Sequence, residues 1–178
     1  MCKRKTPGKR VMLSPFFIVD RDGWLGSFRY ATPQEYESFW AELLAQTQID
    51  IVALQDSGEH LSFYTAEDRR PFLRAMRRAC DRADKQFWVN IETGELDVAS
   101  YEDYARRFGR KTHVNDPKTQ AFWRLVPPEI LQNKIRLAHE FADTAITWGY
   151  REYWDPMRGP PLAARYQAYL LSATLPAR

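Results

Sequence analysis

The sequence predicts an α/β fold in which parallel strands alternate with helices, and three observations carry that expectation. Short, nearly continuous apolar runs at 11–17, 49–55 and 87–92 suit strands covered on both faces rather than alternating surface strands. Stretches of helical apolar spacing, each with a recognisable start, lie between them. Polar residues collect at the carboxyl ends of the runs: Ser14, then Gln55 and Asp56, then Asn90 and Glu92.

Taken in order, the run Val11-Met12-Leu13-Ser14-Pro15-Phe16-Phe17 is too short for a helix and carries a proline, so it reads as a strand ending in a loop. Loop continues over 20–30. Thr32-Pro33-Gln34-Glu35 then supplies a helix start: a capping hydroxyl, a proline at the first helical position, and a glutamate placed to reach back to the cap amide. Tyr36, Phe39, Trp40, Leu43 and Leu44 follow at helical spacing as its buried stripe. After the strand at 49–55, Thr65 caps a second helix whose stripe is Phe72, Ala75, Met76, Ala79, Cys80 and Ala83. Arg69, Arg70, Arg74, Arg77 and Arg78 fill the remainder, which reads as a solvated face rather than a nucleic-acid patch.

The third strand, 87–92, precedes a long segment at 93–127 with a short helix near 101–108. A helix over 128–141 presents Ile130, Leu131, Ile135 and Ala138 to the core. Residues 145–150 read as a fourth strand, and a last helix near 162–171 follows the Trp154-Asp155-Pro156 turn.

With 178 residues, 44% of them hydrophobic, the chain can bury one substantial core. A single domain over 11–178 is expected after a basic arm at 1–10, where Lys3, Arg4, Lys5, Lys9 and Arg10 cluster without an acid. The formal charge is +3 and part of it sits in that arm, so no nucleic-acid partner is expected. Cys2 and Cys80 match no metal-ligand spacing and have no support as a disulfide; neither metal nor cofactor is implied. Neither a signal peptide nor a membrane span is legible, and the expectation is a soluble, cytoplasmic protein as encoded.

Four strand-then-helix units imply parallel strands with right-handed crossovers. A doubly wound sheet often carries a glycine-rich phosphate loop after its first strand, and this sequence has none there. A (β/α)8 barrel instead gathers polar residues at the carboxyl ends of successive strands. Side-chain alternation then sends Phe87, Val89 and Ile91 toward the helices and leaves Trp88, Asn90 and Glu92 facing the barrel axis. Ile51, Ala53 and Gln55 face inward on the second strand, and Met12, Ser14 and Phe16 on the first. A carboxylate pointed into a barrel mouth loses hydration, which singles out Glu92 as a catalytic candidate; a structural glutamate bonded to Asn90, Gln55 or a tyrosine is the plainer alternative. Asp56 is read first as a loop or helix-cap group. Several of the aromatics near strand ends, among them Phe16, Trp148, Tyr150 and Trp154, have faces on which sugar rings could stack, and others serve packing.

The strings at 11–17, 49–56 (Ile-Asp-Ile-Val-Ala-Leu-Gln-Asp) and 88–92 (Trp-Val-Asn-Ile-Glu) resemble, in order, the second half of domain-of-unknown-function family 4434. Members of that family resemble glycoside hydrolases of the large retaining (β/α)8 clan. The resemblance implies half of a (β/α)8 TIM barrel, strands five to eight, and a carbohydrate ligand. It places Glu92 where that clan keeps its nucleophile, Trp148 on strand eight as an aromatic platform, and Ser14, Gln55, Asp56, Asn90 and Tyr150 as substrate-binding candidates. The clan's acid/base glutamate belongs to strand four, ahead of this sequence. Because retaining hydrolysis needs two carboxyl groups roughly 5 Å apart, catalysis is expected only if a homodimer or a partner chain completes the half-barrel. A non-catalytic carbohydrate-binding or assembly module is the alternative. Unpaired sheet edges favour such association, unless the 93–127 segment folds across the open face.

Overall fold

The computed structural model describes residues 8–19, 30–56, 61–112 and 116–147. Its elements run β1 (Met12–Leu13), α1 (Pro33–Ala45), β2 (Ile51–Gln55), α2 (Ala66–Arg82), β3 (Gln86–Ile91), β4 (Gly94–Leu96), α3 (Tyr101–Phe108), α4 (Pro117–Gln120), β5 (Trp123–Leu125), α5 (Pro128–Phe141) and β6 (Thr144–Thr147). Strands β1, β2, β3 and β6 form one parallel sheet in that spatial order. A parallel sheet whose strands are joined through helices is the expected α/β arrangement.

The register is continuous across the sheet: Met12 pairs with Ile51 and Ile51 with Gln86, while Gln55 pairs with Asn90 and Asn90 with Ile146. Pro15 interrupts β1, whose ladder resumes as a bridge between Phe16 and Gln55; a proline has no amide to donate, but its carbonyl accepts the Gln55 N–H at 2.8 Å. Val52, Leu54, Phe87, Val89 and Ile91 bury themselves in one core with Tyr36, Trp40, Leu44, Leu73, Met76, Leu131 and Ala138 from the helices. Each fully buried side chain of this kind contributes about 1.5–3 kcal/mol. Phe17 stacks on Phe72 at 4.8 Å between ring centroids, and Tyr36 meets Phe72 edge-on at 5.6 Å, which seats α1 against α2.

Local signals set the helix starts. Thr32 Oγ1 accepts the Glu35 N–H at 3.3 Å while the Glu35 carboxylate accepts the Thr32 N–H at 2.9 Å, a reciprocal capping box. Asp68 accepts the Thr65 N–H at 2.7 Å in the same way for α2. α3 stops at Gly109, whose φ of +90° suits a residue without a Cβ.

Three expectations about helix faces are corrected. Phe39 is 59% exposed and Ile130 is 38% exposed, because each lies at the rim of its helix's apolar stripe rather than on it. Arg69, expected on the solvated face, is buried. Its guanidinium satisfies three carbonyls, donating to Asp56 at 3.0 Å, Tyr64 at 2.7 Å and Thr65 at 3.0 Å. Arg70, Arg77, Arg78 and Arg82 pair with acids on α1, α2 or α5 and at Asp143, so most of the arginine face is neutralised within the protein.

The 93–127 segment holds more than the short helix expected there. β4 and β5 pair antiparallel, Gly94 opposite Leu125 and Leu96 opposite Trp123. They support a second core of Leu61, Tyr64, Leu96, Val98, Tyr101 and Tyr104. This excursion is tied to the loops after β1 and β2: Leu61 bridges Leu96, the Ser62 N–H donates to the Leu96 carbonyl at 3.1 Å, and the Tyr101 hydroxyl donates to the Val19 carbonyl at 3.0 Å. On the face of the sheet expected to be open, Met12 is 51% and Phe16 58% exposed at the edge strand, whereas Ile51 and Ala53 on the next strand are 5% and 0% exposed. Leu96, Val98, Tyr101 and Tyr104 go into the second core, whereas Val126 joins the helix-side core. The turn at 154–156, the helix near 162–171 and residues 148–150 of the expected fourth strand lie outside the described residues. Among the described residues no helix is long and apolar enough to cross a membrane.

Candidate active site

Alternation along β2 and β3 separates the two faces of the sheet. Val52, Leu54, Phe87, Val89 and Ile91 belong to the helix-side core, whereas Ile51, Ala53, Gln55, Trp88 and Asn90 do not. Ile51, Ala53, Gln55, Trp88 and Asn90 therefore share the opposite face, as two-residue periodicity requires. Ser14 and Gln55 are in direct contact there. Gln55 Nε2 donates to the Ser14 carbonyl at 3.3 Å and to Ser14 Oγ at 3.2 Å, and Ser14 Oγ donates to the Ala53 carbonyl at 2.9 Å. Asn90 is the register partner of Gln55 on the next strand. Its Oδ1 is buried and has no hydrogen-bond partner among the described residues. A buried acceptor left unpaired is costly enough to be uncommon in folded proteins.

Glu92 follows the last residue of β3 and is 4% exposed. Its Oε1 accepts the amides of Thr93 and Gly94, both at 3.1 Å. Burial pushes the Glu92 carboxyl above the ordinary carboxylate range; the Gly94 amide and the Lys134 ammonium pull it back in part, and the Asp56 charge adds to the rise.

Asp56 is brought to Glu92, but through the main chain. Asp56 Oδ1 accepts the Glu92 N–H at 2.7 Å, and the same oxygen lies 3.3 Å from Lys134 Nζ. Lys134 donates in turn to the Glu92 carbonyl at 2.6 Å. Asp56, for which a substrate-binding position was expected, is 2% exposed, and its carboxylate is engaged in this buried pair. The pattern that suggested that position, a carboxylate one step past Gln55, does not reveal a cation arriving from a helix 78 residues later. Lys134 was not anticipated. The available signal was its place in the apolar stripe of α5, three residues after Leu131 and four before Ala138, both fully buried. Burial holds the Lys134 ammonium below the usual lysine range, against the attraction of Asp56.

Trp148 and Tyr150 lie outside the described residues. Among the described residues no group of three or more His, Cys, Asp or Glu side chains is arranged to hold a metal ion. A cavity of about 130 Å³ lined by Pro33, Gln34, Glu37, Pro71, Arg74, Ala75 and Arg78 opens between α1 and α2, with no strand residue in its lining.

A four-stranded parallel sheet alternating with helices, carrying polar side chains at its carboxyl ends, is the architecture of a partial (β/α)8 barrel. The chain belongs to the family described as Domain of unknown function (DUF4434), whose model matches residues 1–159. Among solved structures it is similar to a putative alpha-L-fucosidase from Bacteroides thetaiotaomicron, at 18% identity and a TM-score of 0.65. The match covers 96% of this chain and 46% of that one, so the chain spans about half the length of that structure. No curated protein matches.

Proposed function

We propose that the chain forms half of a glycoside-hydrolase-like site that acts on carbohydrate, with Glu92 in the position of a retaining nucleophile. One observation carries this reading. A buried carboxylate stands at the carboxyl end of the third parallel strand, two residues after an asparagine whose buried Oδ1 has no partner among the described residues. In a barrel that end is where chemistry collects, and a sugar hydroxyl is a donor suited to the Asn90 oxygen. Gln55 and Ser14 line the same row of the sheet, and Trp148 and Tyr150 are assigned to the sugar-stacking side by sequence alone. The similarity to a protein described as a fucosidase supports the carbohydrate class and leaves the sugar open.

The acid/base carboxylate comes from outside this half of the barrel. We assign it to a second half-barrel, from another copy or a partner chain, that closes the sheet along the face bearing Met12 and Phe16. Trapping tests the chemistry: the protein is incubated with activated 2-deoxy-2-fluoro glycosides, a fucoside included, and digested for mass spectrometry. The expected result is a glycosyl adduct on the peptide containing Glu92 that is lost in Glu92→Gln. An adduct on another carboxylate removes Glu92 from the mechanism.

A non-catalytic carbohydrate-binding module is the second reading, and a specific observation favours it. Glu92 is 4% exposed with Oε1 already accepting two amides, which also describes a structural carboxylate. Saturable sugar binding retained in Glu92→Gln, with no adduct on the unaltered protein, would select it.

A further inference from the structure

At the end of β3 the main chain of Glu92 is held by a buried ion pair. Its N–H is taken by Asp56 Oδ1 at 2.7 Å, its carbonyl by Lys134 Nζ at 2.6 Å, and those two side chains close the ring at 3.3 Å. The next two amides, of Thr93 and Gly94, both turn onto Glu92 Oε1. The orientation of the carboxylate and the path of the chain beneath it are thus coupled through three consecutive residues. Charge-assisted hydrogen bonds contribute more than neutral ones, and this pair is shielded from water, Asp56 being 2% and Lys134 6% exposed.

We propose that Lys134 is a positioning residue for Glu92, acting from α5 through the Asp56 carboxylate and the Glu92 carbonyl to hold the carboxylate in one orientation and charge state. This rests on the reading of Glu92 as the reacting carboxylate. The cost of burying an ammonium is considerable, and a helix that needed only packing at this position would do better with leucine or methionine. The charged groups that act on Lys134 are Asp56 from the end of β2, Arg69 from α2 and Glu92 from the end of β3. Two acids and two bases meet there, so removal of the Lys134 ammonium leaves two acids against one base, Arg69, whose guanidinium is taken up by three carbonyls.

The test is nuclear magnetic resonance on the full chain, following the Glu92 carboxyl carbon through a pH titration and the exchange of the Thr93 and Gly94 amides. Lys134→Met is compared with the unaltered protein. Because that variant leaves Asp56 buried without its cation, the charge-free pair Asp56→Asn/Lys134→Met is made beside it. The expected result is a Glu92 midpoint moved to higher pH in Lys134→Met, and, in whichever variant folds, an acceleration of exchange at the Thr93 and Gly94 amides at least tenfold greater than that at the core Val89 amide, which reports the loss of global stability. A lysine that only stabilises the fold would raise exchange uniformly and leave the Glu92 midpoint in place, and that result overturns the proposal. No substrate enters the measurement. An unmoved Glu92 signal therefore counts against Lys134 alone, while absence of a glycosyl adduct on the unaltered protein counts against the carbohydrate reaction alone.

Discussion

Lys134 Nζ lies 3.3 Å from Asp56 Oδ1, and between them the two side chains take up both main-chain polar groups of Glu92. β3 ends at Ile91, and at the next residue the main chain exchanges strand geometry for bonds to an ion pair. That exchange lets the chain leave the sheet at Glu92 and turn into β4 without orphaning buried amides.

Breaking the pair from one side should be costly and removing it from both sides much less so. Lys134→Met is expected to lower the free energy of unfolding by about 3–5 kcal/mol, because it strands a buried carboxylate. Asp56→Asn/Lys134→Met should recover at least half of that loss, since neither charge then needs compensation. Urea unfolding of the three proteins at pH 7 measures both values.

Glu92 sets a pH dependence of known sign. Its folded carboxyl is raised above the ordinary value of 4.5, so the folded state binds the proton more tightly than the unfolded chain. The stability this provides is complete below about pH 4 and is lost as pH climbs through the raised value. Glu92→Gln keeps an acceptor for the Thr93 and Gly94 amides and has no charge to desolvate. It should unfold like the unaltered protein at pH 4 and become relatively more stable toward pH 8. Unfolding free energies at intervals between those limits decide it; a gap independent of pH would count against a raised Glu92 carboxyl.

Neighbours on β2 should respond in opposite ways. Leu54 is fully buried in the helix-side core, and Leu54→Ala is expected to cost about 2–5 kcal/mol. Gln55 is half-buried and, among the described residues, its side chain bonds to Ser14 alone, so Gln55→Ala should cost no more than about 1 kcal/mol. Equal losses would contradict the assignment of the two faces.

The exposed row on β1 should govern association. Met12→Ser/Phe16→Ser replaces side chains that are 51% and 58% exposed, so the change in unfolding free energy should stay within about 0.5 kcal/mol. The sedimentation coefficient at micromolar concentration should fall from that of a dimer to that of a monomer. An unaltered chain that already sediments as a monomer would defeat closure by a second copy.

Sequence periodicity by itself determined the alternation of strands and helices, the faces of β2 and β3, and the starts of α1 and α2, because each depends on residues within a few positions of one another. A two-residue repeat puts Leu54 and Gln55 on opposite faces whatever surrounds them, and Thr32 with Glu35 closes its cap locally. It also singled out Asn90 and Glu92 together, as polar residues at the end of an apolar strand. Tertiary structure alone decided what Glu92 and Asp56 touch. Asp56 was legible as a carboxylate beside the candidate site, but its partner Lys134 comes from α5, and nothing in the spacing of the two predicts that a lysine in an apolar stripe will reach a strand end. Arg69 is the same case, an arginine among arginines whose burial follows from three carbonyls converging on it. β4 and β5 were hidden for a related reason: strands of three residues carry too little periodicity to be read, and they exist because pairing across the excursion satisfies their backbone groups while the loops after β1 and β2 cover them.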